Sequence, residues 1–92
     1  MRDFCSGAYI QAKTNVADQR LNAAYKALLA RIDAAQRQPL LSAQRLWVQY
    51  RDANCAFYGV QDGSIRQVQA AECIRSMTED RAYELEKAMK FD

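Results

Sequence analysis

Residues 43–55 read Ala43-Gln44-Arg45-Leu46-Trp47-Val48-Gln49-Tyr50-Arg51-Asp52-Ala53-Asn54-Cys55, with no proline or glycine in the stretch. Apolar residues recur here in steps of three and four, as they do along one face of an α-helix. The stretch also carries the only tryptophan of the chain, an adjacent Arg-Asp pair and a cysteine. It therefore predicts a helix that holds an aromatic ring, a pair of opposite charges and a thiol.

Outside this stretch, proline and glycine mark the places where helices are expected to stop. The chain contains one proline, Pro39, and two of its three glycines lie close together at Gly59 and Gly63. Residues 59–64 have the composition of a turn. These positions predict three helical segments: one from about residue 6 to 36, one from near Pro39 to about residue 58, and one from about residue 65 to 90.

Each segment repeats apolar positions in steps of three, four or seven. The predicted buried stripes are Ile10, Ala17, Leu21, Ala24, Leu28, Ile32 and Ala35 in the first segment, Leu40, Ala43, Trp47, Tyr50, Asn54 and Tyr58, widened by Val48, Arg51 and Cys55, in the second, and Val68, Ala71, Ile74, Thr78, Arg81, Leu85 and Met89 in the third. Short connections favour antiparallel neighbours. The predicted fold class is therefore all-α, an antiparallel up-down-up three-helix bundle that forms a single domain over residues 1–92.

Three cysteines occur, at Cys5, Cys55 and Cys73. In the predicted topology they cluster at one end of the bundle, although they are far apart in sequence. We expect a disulfide between Cys55 and Cys73, because a short turn joins their helices and closing this loop contributes about 3 kcal/mol to stability. A Cys5–Cys73 bridge and three reduced, buried thiols are the alternatives. Because the count is odd, one thiol stays outside any intramolecular bridge.

Composition and charge argue against several functional classes. The 13 basic and 11 acidic residues give a net charge of +2 and are mixed along the chain, without the basic stripe that is typical of nucleic-acid-binding proteins. The chain has no histidine and no Cys-x-x-Cys pair, so we expect neither a metal site nor a cofactor. No apolar run has the length that a membrane span needs. The missing catalytic groups predict a protein that is not an enzyme.

Two arginines, Arg51 and Arg81, lie inside or beside the predicted apolar stripes, where a charge requires a partner. The expected partners are the carboxylates of Asp18 and Asp52, with two polar side chains to satisfy the remaining donors. A structural role, fixing the register of the helices, is assigned to Asp18, Asn22, Trp47, Arg51, Thr78 and Arg81. The functional alternative for the same groups is a site for an anion or a substrate.

Three spaced motifs in this chain resemble those of a known family. They are Ala17-Asp18, Leu21-Asn22 and Tyr25; then Ala43-Gln44, Trp47, Arg51-Asp52 and Cys55; then Gly63-Ser64 and the stretch from Cys73 to Leu85. In this order they resemble the N-terminal domain of LprI-type lysozyme inhibitors over about residues 5–88. The resemblance implies a helical, cysteine-bridged protein that is periplasmic or secreted, and whose signal peptide is absent from this sequence.

The resemblance also implies a protein partner, either a lysozyme or another cell-wall hydrolase, whose muramidase activity this chain blocks. The binding residues we expect are Gln61, Asp62, Gly63 and Ser64, because an exposed loop on a rigid bundle can enter a cleft and an acid can meet its cationic rim. The alternative is a periplasmic structural, adaptor or immunity-type protein that does not inhibit lysozyme. It would dock through an apolar patch around Phe4, Tyr9, Phe57 and Tyr58.

Overall fold

A computed structural model of the protein describes residues 7–60 and 66–91. It contains three α-helices and a short 3₁₀ helix that continues the third: α1 (Gly7–Arg31), α2 (Ala34–Gly59), α3 (Arg66–Ala88) and Met89–Phe91. No strand occurs in these two ranges. None of the described helices combines the length and the apolar character that crossing a bilayer requires. The predicted all-α three-helix bundle is confirmed.

The third helix, α3, is the common neighbour of the other two. It packs extensively against α1 and also against α2, whereas α1 and α2 contact each other little. The core cluster consists of small and medium-sized apolar side chains from α1 and α3: Leu21, Ala24, Leu28, Ala82 and Leu85. Trp47 and Leu40 of α2 pack against this cluster from outside. In a domain of this size so small a core supplies only a narrow margin of stability.

The buried face of α1 follows the predicted stripe. The five positions that are at most 5% exposed are Ile10, Ala17, Leu21, Ala24 and Leu28. Thr14 completes this face, and its hydroxyl donates a hydrogen bond to the carbonyl of Ile10 at 2.9 Å, so the buried oxygen is satisfied within the helix. Ala35 is exposed and belongs to α2. In α3 all predicted positions are buried or half-buried: Val68, Ala71, Ile74, Thr78, Arg81, Leu85 and Met89.

The boundary between α1 and α2 differs from the prediction. The first helix ends at Arg31 rather than near residue 36, and α2 begins at Ala34 rather than near Pro39. Asp33 caps α2: its carboxylate accepts a hydrogen bond from the backbone N–H of Gln36 at 3.0 Å, and the Gln36 side chain accepts one from the backbone N–H of Asp33 at 3.3 Å. This capping box fixes the helix start, and Pro39 is accommodated in the second turn.

The predicted stripe of α2 is correct in part. Four of its six positions are half-buried: Leu40, Trp47, Asn54 and Tyr58. The other two, Ala43 and Tyr50, are exposed. The buried side of α2 includes Arg51 and Cys55, as predicted for a widened stripe, and also Gln44. Apolar residues cover a wider arc of α2 than α3 can contact, so the periodicity alone could not show which edge of that arc is buried.

A bidentate ion pair joins α1 to α3. The guanidinium of Arg20 donates two hydrogen bonds to the carboxylate of Glu86, with N–O distances of 2.6 and 2.7 Å. Hydrogen bonding to Arg20 holds the pKa of Glu86 below its ordinary value, and the same contact raises the pKa of Arg20. Both side chains are solvent-accessible, so water and salt screen the pair and its contribution to stability is modest.

We expect this pair to make stability depend on pH in the acid range. Because the pKa of Glu86 is lowered on folding, the stabilisation is present above the unfolded pKa of about 4.3 and is lost as pH falls through the folded value. Glu86→Gln should therefore lower the urea midpoint at pH 7 and lower it less at pH 3. Asp80→Asn, at an exposed position of the same helix, is the control. An equal loss for Glu86→Gln at both pH values would contradict the expectation.

Candidate protein-binding site

A disulfide joins α2 to α3 at the end of the molecule where α2 stops and α3 starts. Cys55 lies one turn before the end of α2, Cys73 lies two turns into α3, and their Cα atoms are 5.5 Å apart. The predicted Cys55–Cys73 bridge is confirmed, and Cys5 lies outside the described residues. The bridge ties together the two helix ends to which residues 61–65 are attached.

Sulfur atoms and one amide pack around the bridge. The Sδ atom of Met77 lies 3.8 Å from the Sγ of Cys55 and 3.9 Å from the Sγ of Cys73. The Asn54 side-chain amide donates to the Met77 sulfur at 3.3 Å and lies 3.6 Å from the Cys73 sulfur. Such polarisable groups fill irregular space well. Among the described residues, no three Cys, Asp or Glu side chains are grouped so that they could hold a metal ion.

A groove of about 460 Å³ opens between the end of α2 and the start of α3, beside this sulfur cluster. Its lining includes the apolar side chains of Tyr58 and Val68 and the polar side chains of Gln69, Glu72 and Ser76. The carbonyl oxygen of the Gln69 side chain is buried and has no hydrogen-bond partner. Buried polar atoms are rarely left in this state. The lining of the groove combines apolar and polar side chains, so it can contact a side chain that has an apolar stem and a polar tip.

The groove has an acidic group in its lining. Glu72 pairs with Arg75, which also contacts Glu79 at 2.8 Å. Hydrogen bonding to Arg75 holds the pKa of Glu72 below its ordinary value. In turn, hydrogen bonds to the two carboxylates raise the pKa of Arg75, and the bond to Glu72 has the larger effect. Glu72 is therefore ionised at neutral pH. Two carboxylates around one guanidinium leave this group with a net negative charge.

Arg51, one of the two arginines expected to be structural, lies between α2 side chains. Its guanidinium pairs with Asp52 at 2.9 Å, and its central carbon lies 5.2 Å from the centre of the Trp47 ring. Trp47 is half-buried and packs against the core. The charge is thus held by a carboxylate on one side and by an aromatic face on another, an arrangement that suits a partly desolvated arginine.

Arg81, the second of these arginines, connects α3 to α2. It donates a hydrogen bond to the side-chain carbonyl of Gln44 at 3.0 Å and pairs with Glu84 of its own helix at 3.2 Å. Gln44 was not predicted to take part in any site. Because Gln44 is half-buried on the face of α2 next to α3, this hydrogen bond satisfies two polar groups at the helix interface.

The other three residues with a predicted structural role have separate surroundings. Thr78 is completely buried and donates to the carbonyl of Ile74 at 2.7 Å, within its own helix. Asp18 is half-buried and Asn22 is exposed on α1, and in the part of the chain that the structure describes neither contacts Arg51 or Arg81. Since α1 and α2 barely touch, an acid on α1 is not brought to Arg51.

The binding residues predicted from sequence are Gln61, Asp62, Gly63 and Ser64, and they lie outside the described residues. Their neighbour Val60 is exposed, and its backbone N–H donates to the carbonyl of Tyr58 at the C-terminal end of α2. Arg66 begins α3 on the other side. The described helix ends next to this segment are therefore the two that carry the disulfide and the groove.

Of the predicted apolar docking patch, the structure describes three residues, and Phe4 lies outside the described range. Tyr9 and Phe57 are exposed, whereas Tyr58 is half-buried. The rings of Phe57 and Tyr58 meet edge to face, with their centres 5.3 Å apart. Tyr58 thus belongs to the groove, and Phe57 remains available on the outer side of α2.

Comparison with known proteins places the chain in a family. A family model described as lysozyme inhibitor LprI matches residues 6–85, a range that contains both bridged cysteines and the whole groove. An uncharacterized protein of Rhizobium meliloti (strain 1021) is 28% identical over 80% of this chain. The chain spans 64% of the length of that curated relative. No solved structure matches it.

Proposed function

Because the chain belongs to the family of the lysozyme inhibitor LprI, we propose that it is a periplasmic or secreted binding module that blocks a muramidase. The observation that carries this proposal is the disulfide between Cys55 and Cys73, which crosslinks the helix ends beside the Gln61–Ser64 loop. The module is not an enzyme. It acts by occupying the cleft in which the cell-wall polymer binds.

The Gln61–Ser64 loop is the part that enters the cleft in this proposal. A segment whose two ends are attached to a crosslinked helix pair loses less conformational freedom on binding than a free peptide does. The carboxylate of Asp62 then meets basic groups at the rim of the cleft. With a net charge of +2, the chain has no long-range attraction for a basic hydrolase, so local acids of this kind must supply the attraction.

The groove beside the sulfur cluster supports the same type of partner. Its ionised Glu72 and the unpaired Gln69 carbonyl are both hydrogen-bond acceptors. A lysine or arginine of the hydrolase laid into the groove would face Glu72, while its alkyl stem contacts Tyr58 and Val68. The loop and the groove thus form two adjacent contacts for one basic surface.

A cell-wall lysis assay tests this function directly. The parent chain is titrated against lysozymes and against muramidases of the source cells, beside Asp62→Lys and the control Asp80→Lys. The control changes net charge equally at an exposed position on α3. We expect dose-dependent inhibition by the parent and by the control, and a loss of at least about tenfold in affinity for Asp62→Lys, since reversing one contacting charge costs about 1.4 kcal/mol or more.

The assay also distinguishes the second candidate function. A structural, adaptor or immunity-type module that docks onto another envelope protein is favoured by the exposed rings of Tyr9 and Phe57. If the parent inhibits none of the muramidases, the inhibitor proposal is contradicted and this docking function takes its place. If both lysine variants lose inhibition equally, net charge rather than the loop determines binding.

A further inference from the structure

One side of α2 presents a continuous apolar row to solvent. We call it the outer stripe, and its six exposed members are Ala43, Leu46, Tyr50, Ala53 and Phe57 of α2 and Val60, the residue that caps the helix. The four large side chains are each between 61% and 79% exposed. At 3.6 residues per turn the stripe lies roughly 120° around α2 from the side that faces α3. No other helix of the described chain covers it.

The spacing of the outer stripe is that of a coiled-coil seam. Its members follow one another in steps of three, four, three, four and three, which are alternating a and d positions of a heptad pattern. The stripe carries no charge, and the g positions along one edge are the uncharged residues Ser42, Gln49 and Ala56. Single exposed apolar residues are ordinary, but a row of this length marks an interaction surface. The spacing fits another helix as the occupant.

We propose that this occupant is a second copy of the chain, whose α2 packs antiparallel against the first around a two-fold axis level with residues 51 and 52. An antiparallel pair forms layers in which an a residue meets a d residue. Tyr50 then meets Ala53 of the second copy, Leu46 meets its Phe57, and Ala43 meets its Val60. The three layers recur in reverse order beyond the axis.

Residue sizes favour this antiparallel arrangement over a parallel one. In the antiparallel layers, Tyr50 lies opposite an alanine and Ala43 lies opposite a valine, so two of the three layers combine a small side chain with a larger one. The layer between them pairs Leu46 with Phe57. A parallel pair would oppose Tyr50 with a second Tyr50 and Ala53 with a second Ala53. That arrangement overfills one layer and leaves a gap in the next, both of which weaken packing.

The area available is sufficient for a weak dimer. Four largely exposed side chains of this size bury about 500 Å² per copy, hence about 1,000 Å² in total, which is the lower end of specific interfaces. Because the g positions are uncharged, no like charges face each other along that edge of the dimer. In the antiparallel pair the two disulfide-crosslinked ends point in opposite directions. Dimer formation is measured without any hydrolase present, so its outcome is separate from that of the lysis assay.

Sedimentation equilibrium tests the dimer, with Cys5→Ser as the background so that the odd thiol cannot crosslink two chains. We expect a reversible monomer–dimer equilibrium with a Kd on the order of 10–100 µM. Leu46→Glu and Phe57→Lys should each weaken it at least about tenfold, since each places two unpaired charges in the seam. Val16→Glu, at an exposed apolar position of α1, is the matched control and should leave the Kd unchanged.

Mixing the two charged variants tests the register. In the antiparallel pair, residue 46 of one copy faces residue 57 of the other, so Leu46→Glu and Phe57→Lys should form a mixed dimer although neither dimerises alone. Circular dichroism establishes that each variant remains helical. The proposal is overturned if the parent remains a monomer at protein concentrations up to about 1 mM, about tenfold or more above the expected Kd. It is also overturned if Val16→Glu weakens the dimer as much as the two seam variants do, or if the mixture of the two seam variants remains monomeric. Binding of the stripe to lipid vesicles in place of dimerisation also overturns it.

Discussion

Replacing both bridged cysteines, as Cys55→Ala with Cys73→Ala, should lower the free energy of unfolding by about 3 kcal/mol and the Tm by roughly 10–25 °C. The bridge closes a loop between residues 18 positions apart, and without it the unfolded chain regains the freedom of that loop. The core cluster lies mainly between α1 and α3. The packing of α2 on α3 therefore depends more on the bridge than the packing of α1 on α3 does.

Thermal melting followed by far-UV circular dichroism measures this effect. Cys5→Ser is the matched control, because with Cys55 and Cys73 paired the third thiol has no intramolecular partner left. Its Tm should equal that of the parent. Treating the parent with a reductant should reproduce the double alanine variant to within a few degrees. A reduced parent that melts at the oxidised temperature would show that the crosslink contributes nothing to stability.

Ala82→Asp should prevent folding at 25 °C. Ala82 is completely buried in the cluster of α1 and α3 leucines, and an unpaired carboxyl group there costs several kcal/mol whether it is charged or neutral. Domains of this length have a stability of only about 5–10 kcal/mol to begin with. The closest apolar neighbours offer no hydrogen-bond donor that could compensate for the new group.

The neighbouring substitution Tyr83→Asp provides the comparison for Ala82→Asp. Tyr83 is adjacent in the same helix but exposed, so this variant introduces the same residue type into the same helix without burying it. Its cost in helix propensity is smaller than that of Ala82→Asp, by less than about 1 kcal/mol. We expect it to melt cooperatively within a few degrees of the parent. Far-UV circular dichroism and urea unfolding measure both proteins. A cooperative, parent-like transition for Ala82→Asp would mean that the α1–α3 contact is not the main core.

The buried stripes and the helix ends could largely be predicted from sequence, because each is determined by residues that lie close together in the chain. The stripe of α1 is narrow and faces one neighbour, so the apolar positions of the predicted stripe from Ile10 to Leu28 are buried. The predicted start of α2 near Pro39 is wrong, although Asp33 and Gln36 have the spacing of a capping box. A side chain that satisfies orphan N–H groups determines a helix start more strongly than a proline that is merely tolerated nearby.

Features that depend on helix packing could not be predicted in this way. The Arg20–Glu86 pair joins residues 66 positions apart, and nothing local relates them. Arg81 could have been matched with Glu84 from their spacing of three, but its contact with Gln44 requires the placement of α2 against α3. The disulfide could be predicted from sequence because the topology brings the two helix ends together. The groove beside it could not be predicted, since its shape depends on the side chains that surround the bridge.

The position of α3 has a consequence for how the chain acquires its structure during synthesis. The first two helices precede it and share few contacts with each other, so both are made before the helix that supplies most of the surface they pack on. Helices without a tertiary partner are marginal in water. The two helices therefore gain most of their tertiary contacts only after α3 has been made, and a chain that terminates before α3 lacks those contacts.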